Sequence, residues 1–168
     1  MMLCSMAYGQ DDRTLVDNFF QSDANIIYWK NINETGLTQE ELVDAVIETG
    51  FFNDIDVAGN KVVCEFRPYK LNYEQYGYSV ISVPAFLIHN LLTATVVFEL
   101  KDDRYRVIVK NIRFINNTDD GFGIVYPLEY YVLNRQQEIR FSLFKDCSDL
   151  LNQDFQLKTR LKKEESNW

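Results

Sequence analysis

Residues 92–114 read LTATVVFELKDDRYRVIVKNIRF. Two runs of β-branched and aromatic residues alternate with polar ones and flank Asp102-Asp103. Folding the segment about those two aspartates sets Leu100 opposite Tyr105, Phe98 opposite Val107 and Val96 opposite Val109 on one face. An antiparallel pair with one continuous apolar face needs a covering layer, so the rest of the chain is read for the strands and helices that supply it.

Upstream, residues 26–32 (IIYWKNI) form a β-rich run. A helix start follows. Thr38 and Glu41 make the S/T-x-x-E capping box, with Leu37 and Leu42 in the positions of a hydrophobic staple. Leu42, Val46 and Thr49 recur at helical spacing and Gly50 supplies the stop, which predicts a helix over 39–49. The period then changes to two. A turn at Ala58-Gly59-Asn60 separates a short strand from one over 61–67, ended by Pro68. The stretch 77–83 reads as a strand, and Pro84 to Asn90 as irregular or briefly helical. Downstream, NNTDDGFG (116–123) is a polar loop. Ile139, Leu143, Cys147, Leu150 and Leu151 then recur at helical spacing in a closing helix, with basic residues toward its C-terminal end.

The order is β-α-β-β-β-β-α: an α+β chain with a single antiparallel sheet and helices on one face. Together with TQEEL (38–42) and the hairpin, it resembles a family of small secreted proteins of gut bacteria, a domain of unknown function described as having a TATA-box-binding-protein-like fold. That family commonly shows a Lys-Asp-Gly-(Lys/Arg)-Tyr-(Arg/Lys) hairpin. Here the segment is Lys101-Asp102-Asp103-Arg104-Tyr105-Arg106, with Asp103 at the glycine. The resemblance covers about residues 25–155 and implies a fold and a secreted setting, but no activity. A helix-grip fold, in which a sheet wraps a long helix around an apolar ligand, has the same element order.

The N-terminus bears on the setting. MMLCSMAYGQ begins with an apolar run, and Ala7-Tyr8-Gly9 before Gln10 fits a signal cleavage site. Residues 1–9 read as the remnant of a signal peptide and 10–168 as one domain. The basic n-region is missing, which suggests a start upstream of Met1. A lipid anchor at Cys4 is the weaker alternative, because Leu3 stands where that site wants a small residue; an apolar segment of a cytosolic protein is the other. On the first reading the chain is secreted or periplasmic.

The chain has 168 residues, 46% of them apolar and 14% aromatic, which excludes a disordered protein. No stretch reaches the ~20 apolar residues of a membrane span. Seventeen Lys+Arg against 25 Asp+Glu give a net charge of −8, the wrong sign for a nucleic-acid partner. Cys64 and Cys147 fall in phase with neighbouring core positions and read as buried free thiols in preference to a disulfide.

Chemical motifs are sparse. The one histidine, His89, has no elbow or zinc pattern around it, and pairs with Cys64 or Cys147 only if the fold brings them together. Asp54, Asp56, Gly59 and Glu65 imitate a calcium loop, but Ala58 cannot ligate and the alternation favours a hairpin. Asn117 to Gly121 offers oxygen ligands and equally an ordinary loop. Asn33-Glu34-Thr35 and Asn116-Asn117-Thr118 match the glycosylation pattern. No cofactor motif is found. Aromatic clustering is the richest feature: Tyr69, Tyr73, Tyr76 and Tyr78 with Arg67 close by, then Tyr126, Tyr130 and Tyr131. Tyrosine presents a flat apolar face and a polar tip, suited to a protein, peptide or glycan partner, and it also suits half-buried sheet positions. These residues make a non-catalytic binding module the first reading. A helix-grip carrier of an apolar small molecule is the alternative, and an unrecognised hydrolase a more distant one.

Overall fold

A computed structural model of the protein describes residues 12–116 and 123–162. The cleavage site expected at Gly9-Gln10, Cys4 and the oxygen-rich run 117–121 lie outside the described residues. The central hairpin is formed by β7 (Leu91–Lys101) and β8 (Arg104–Asn116). Its register is the one the sequence dictates, with Leu100 on Tyr105, Phe98 on Val107 and Val96 on Val109. The left-handed position of the turn falls on Asp102 (φ 53°), a residue type whose short polar side chain tolerates that region.

Beyond Val109 the hairpin departs from strict alternation. Pairing steps from Thr95–Lys110 to Thr93–Arg113, so Asn111 and Ile112 together oppose Ala94. Asn111 is left-handed (φ 51°) and absorbs the extra residue as a β-bulge. The bulge switches the parity of β8. Without it Ile112 and Phe114 would face outward; with it they join Tyr105, Val107 and Val109 in the core.

Among the described residues the remaining strands are β1 (Arg13–Thr14), β2 (Phe19–Gln21), β3 (Ile27–Glu34), β4 (Phe52–Ala58), β5 (Lys61–Phe66), β6 (Tyr69–Lys70) and β9 (Ile124–Pro127). They join the hairpin in one antiparallel sheet ordered β1-β2-β3-β8-β7-β5-β4, with β6 on β7 and β9 on β8. The helices are α1 (Gln39–Glu48), α2 (Ala85–His89), α3 (Leu128–Val132) and α4 (Phe141–Thr159). Apolar residues of all four enter one core with the inner face of the sheet.

Local chemistry explains the helix bounds. At α1, Glu41 N–H donates to Thr38 Oγ1 (3.3 Å) and Thr38 N–H donates to Glu41 Oε2 (2.7 Å), while left-handed Gly50 (φ 69°) closes the other end. The stretch before α4 is not helical. Asn134 Oδ1 accepts the Gln136 and Glu138 N–H groups, and Ile139 bridges Leu133. The strand expected over 77–83 is absent. Gly77 (φ 81°) follows a 3₁₀ turn, and Ser79 and Ser82 bond to each other in a local turn that competes with a ladder. It leaves Ile81 93% exposed.

Aromatic rings fill the layer between sheet and α4. Phe155 meets Trp29 at 5.8 Å and Phe66 at 5.9 Å, and Phe144 meets Phe19 at 5.5 Å between ring centres. The buried Trp29 donates its indole N–H to Asn152 Oδ1 (2.7 Å), and Tyr105 Oη donates to Thr159 O (3.2 Å). A helix-grip carrier would hold its ligand in this layer; here protein side chains occupy it.

Candidate functional site

The first tyrosine group serves the fold. Residues 69–78 strap the end of the sheet to α4, and the strap closes on Asp154, whose side chain is fully buried. Asp154 accepts hydrogen bonds from Tyr69 Oη (2.5 Å) and Tyr76 Oη (2.9 Å), and Lys158 Nζ lies 2.6 Å from the same carboxylate. The Lys158 ammonium also stands over the Tyr69 ring at 4.4 Å. Burial, reinforced by the Asp154 charge, pushes both phenols above their ordinary range. They are held as neutral donors. Tyr78 Oη accepts from Gln153 Nε2 (3.2 Å), and Tyr73 packs against the core. Arg67 is engaged elsewhere, donating from Nε to Phe52 O at the end of the β4–β5 hairpin (3.0 Å). Removing Tyr76 would therefore cost stability first, which is the structural reading of this cluster.

The second group is built differently. Pro127 ends β9 and opens α3, whose Leu128 and Val132 are buried one turn apart. This spacing turns Tyr130 outward and lays Tyr131 against α2. Tyr126 and Tyr130 stack at 4.4 Å, and Tyr130 meets Tyr131 edge-on at 5.2 Å. Tyr131 stacks on Phe86 at 4.2 Å with planes 5° apart, and Phe86 rests edge-on against buried Phe114. Asn90 Nδ2 reaches the Tyr131 hydroxyl (3.4 Å), and burial raises that phenol above its usual range. From Glu129, Oε1 accepts the Ile27 N–H (2.7 Å) and ties α3 to β3. The result is a fixed aromatic ladder from the core to the surface, where Tyr130 is 62% exposed beside exposed Ile124 and Val125. Phe86 is a member that sequence reading missed; only its solitary placement in PAFLIHNLL is visible there.

Other candidates take structural places. Glu65 accepts from Thr95 Oγ1 (2.5 Å) and pairs with Arg113 (2.8 Å) on the outer face of the sheet, so the calcium-like stretch is the β4–β5 hairpin. Cys64 and Cys147 are buried free thiols whose Sγ atoms contact Val96 O and Phe144 O. Burial pushes each thiol up to about 12, away from nucleophilic use. His89 is exposed at the end of α2, apart from those buried thiols. No helix among the described residues is long and apolar enough to cross a membrane.

No family model matches the chain, and no curated protein matches it significantly. Two solved structures are similar to it. A TBP-like protein from Parabacteroides distasonis shares 9% identity, with a TM-score of 0.43 over 82% of this chain and 95% of that one. A DUF4468 family protein from Bacteroides ovatus shares 14% identity, with a TM-score of 0.47 over 90% of this chain and 95% of that one. Both are gut-bacterial proteins of the kind the sequence resembles, and the chain is an α+β protein with a single antiparallel sheet.

Proposed function

We propose that this chain is a non-catalytic binding module acting outside the cytoplasm, and that the Tyr126-Tyr130-Tyr131 platform recognises its protein, peptide or glycan partner. The observation that supports this reading is the exposed Tyr130 ring at the end of a ladder anchored on Phe86 and Phe114. A surface whose rings are already fixed loses little conformational freedom on binding, and phenol tips add directional hydrogen bonds to apolar contact. The net charge of −8 argues against a nucleic-acid partner. The setting outside the cytoplasm rests on the Ala7-Tyr8-Gly9 pattern; the mass of the protein recovered from its own cells tests it, with a chain starting at Gln10 expected.

Glycan and peptide arrays probed with the full chain test the platform. Tyr130→Ala removes an exposed ring, so binding is expected to disappear while the melting temperature stays within a few degrees. Ligands retained equally by wild type and Tyr130→Ala would overturn this assignment.

A further inference from the structure

β3 is flanked on both sides only at Trp29 and Lys30. On one side β8 accompanies it from Trp29 to Glu34 without a bulge. On the other, β2 covers Ile27 to Trp29, and the last bond runs from Lys30 N–H to Asn18 O (2.9 Å). Backbone polar groups alternate in direction along a strand, so those of Ile32 and Glu34 point the same way as Lys30, toward the open edge. Thr35 N–H points back to the sheet and donates to Asp103 O (2.7 Å). Among the described residues no strand pairs with this edge. The opposite edge of the sheet, β4, is broken by a bulge with left-handed Asp54 (φ 50°) and carries Asp54 and Asp56, devices that deter strand addition. The β3 edge presents Ile32, 58% exposed.

The C-terminal end of α4 stands beside this edge and leaves an open groove of about 1200 Å³. Asn31 and Asn33 line it from β3, with Leu157 (57% exposed), Arg160 and Lys162 from the helix and the residues after it. Asn33 Nδ2 is buried there with no hydrogen-bond partner among the described residues. Neither Arg160 nor Lys162 forms an ion pair among them, and Glu34 is the one carboxylate in the lining. In a chain of net charge −8 this is a local excess of positive charge.

We infer that this groove docks an extended acidic peptide segment of another protein. The segment adds to the sheet as a strand, exchanging backbone bonds with Ile32 and Glu34. Side chains two residues apart then face α4: an apolar one lies on Leu157, and a carboxylate meets Arg160 and Lys162. Asn33 Nδ2 donates to the incoming strand. None of these residues belongs to the tyrosine platform.

The test titrates the full chain into fluorescein-labelled octapeptides of the repeat Val-Thr-Asp-Thr, which put Val and Asp two residues apart on one face, with sets in which Ser or Lys replaces Asp. The Asp set is expected to bind about tenfold or more tighter than the Ser set, with the Lys set weakest, and Arg160→Glu to reverse the order. Ile32→Pro deletes an N–H that bonds nothing among the described residues, so it is tolerated by the fold and abolishes binding. Independently of that variant, saturation with the Asp peptide slows amide exchange of Ile32 and Glu34 about tenfold or more. Equal affinity for the Asp and Ser sets, or binding that leaves those two amides unprotected, overturns the inference. Self-association of the chain that Ile32→Pro abolishes and the Asp peptide cannot displace would make a second copy the occupant, and overturns it as well. Tyr130→Ala leaves this binding unchanged, so its failure is separable from that of the platform.

Discussion

Replacing Asp154 by Ala exposes the energetics of the α4 strap. The carboxylate is wholly buried and holds three partners: two phenols and an ammonium that is itself 11% exposed. Its loss leaves two part-buried donors unsatisfied and one cation uncompensated. Breaking a buried pair by removing one partner costs about 3–5 kcal/mol, of which better helix propensity of Ala returns roughly 0.5. About 3.5 kcal/mol is therefore expected, or about 7–14 °C in melting temperature for a chain of this length. Tyr76→Phe removes one bond and leaves two, so about 1 kcal/mol is expected. Asp154→Leu with Lys158→Met removes both charges and should cost less than the sum of the single changes by about 2 kcal/mol. Urea unfolding at constant m-value reads each of these variants and the two single changes of the pair. A loss below about 1 kcal/mol for Asp154→Ala, or strict additivity of the pair, would show that the cluster is not a unit and refute the reasoning.

Both buried thiols have pKa values raised from 9.0 to about 12, so their contribution to stability is complete below pH 9 and is lost as pH rises toward 12. The slope is roughly 1.4 kcal/mol per pH unit for each thiol, and a urea midpoint unchanged between pH 9 and 11 would contradict it. At the bulge, Asn111→Gly should leave stability within about 0.5 kcal/mol, whereas Asn111→Val forces a β-branched residue into the left-handed region and costs about 1–2 kcal/mol. Equal midpoints for the two variants would mean that the bulge relaxes.

The hairpin and α1 are legible in the sequence because their signals are local. Alternation about Asp102-Asp103 fixes one, and Thr38, Glu41 and Gly50 fix the other. Asn111 is hidden, because a bulge exists only against a partner strand. The strand misread over 77–83 shows the opposite failure: Val80 and Ile81 look like part of an alternation, but Ser79 and Ser82 satisfy the backbone locally and no sheet position remains for them. Short β1, β2 and β9 lack the length that periodicity requires. The two tyrosine groups are chemically alike in sequence. Their different fates are set by Asp154 in one case and by Phe86 and Phe114 in the other, all distant along the chain.

The strand at the centre of the sheet is also among the last to be made. Trp29 has no sheet neighbour in Val109 until β8 has been synthesised, and its cover arrives only with Phe155 on α4. A nascent chain ending before β8 can form α1 and the β4–β5 hairpin but cannot bury β3. The β4–β5 and β7–β8 hairpins each close through a two-residue turn, whereas β3 joins β8 only across a long loop. Pairing at that sequence separation carries a loop-closure cost, and it leaves β3 without its sheet partner and its cover until β8 and α4 have been made.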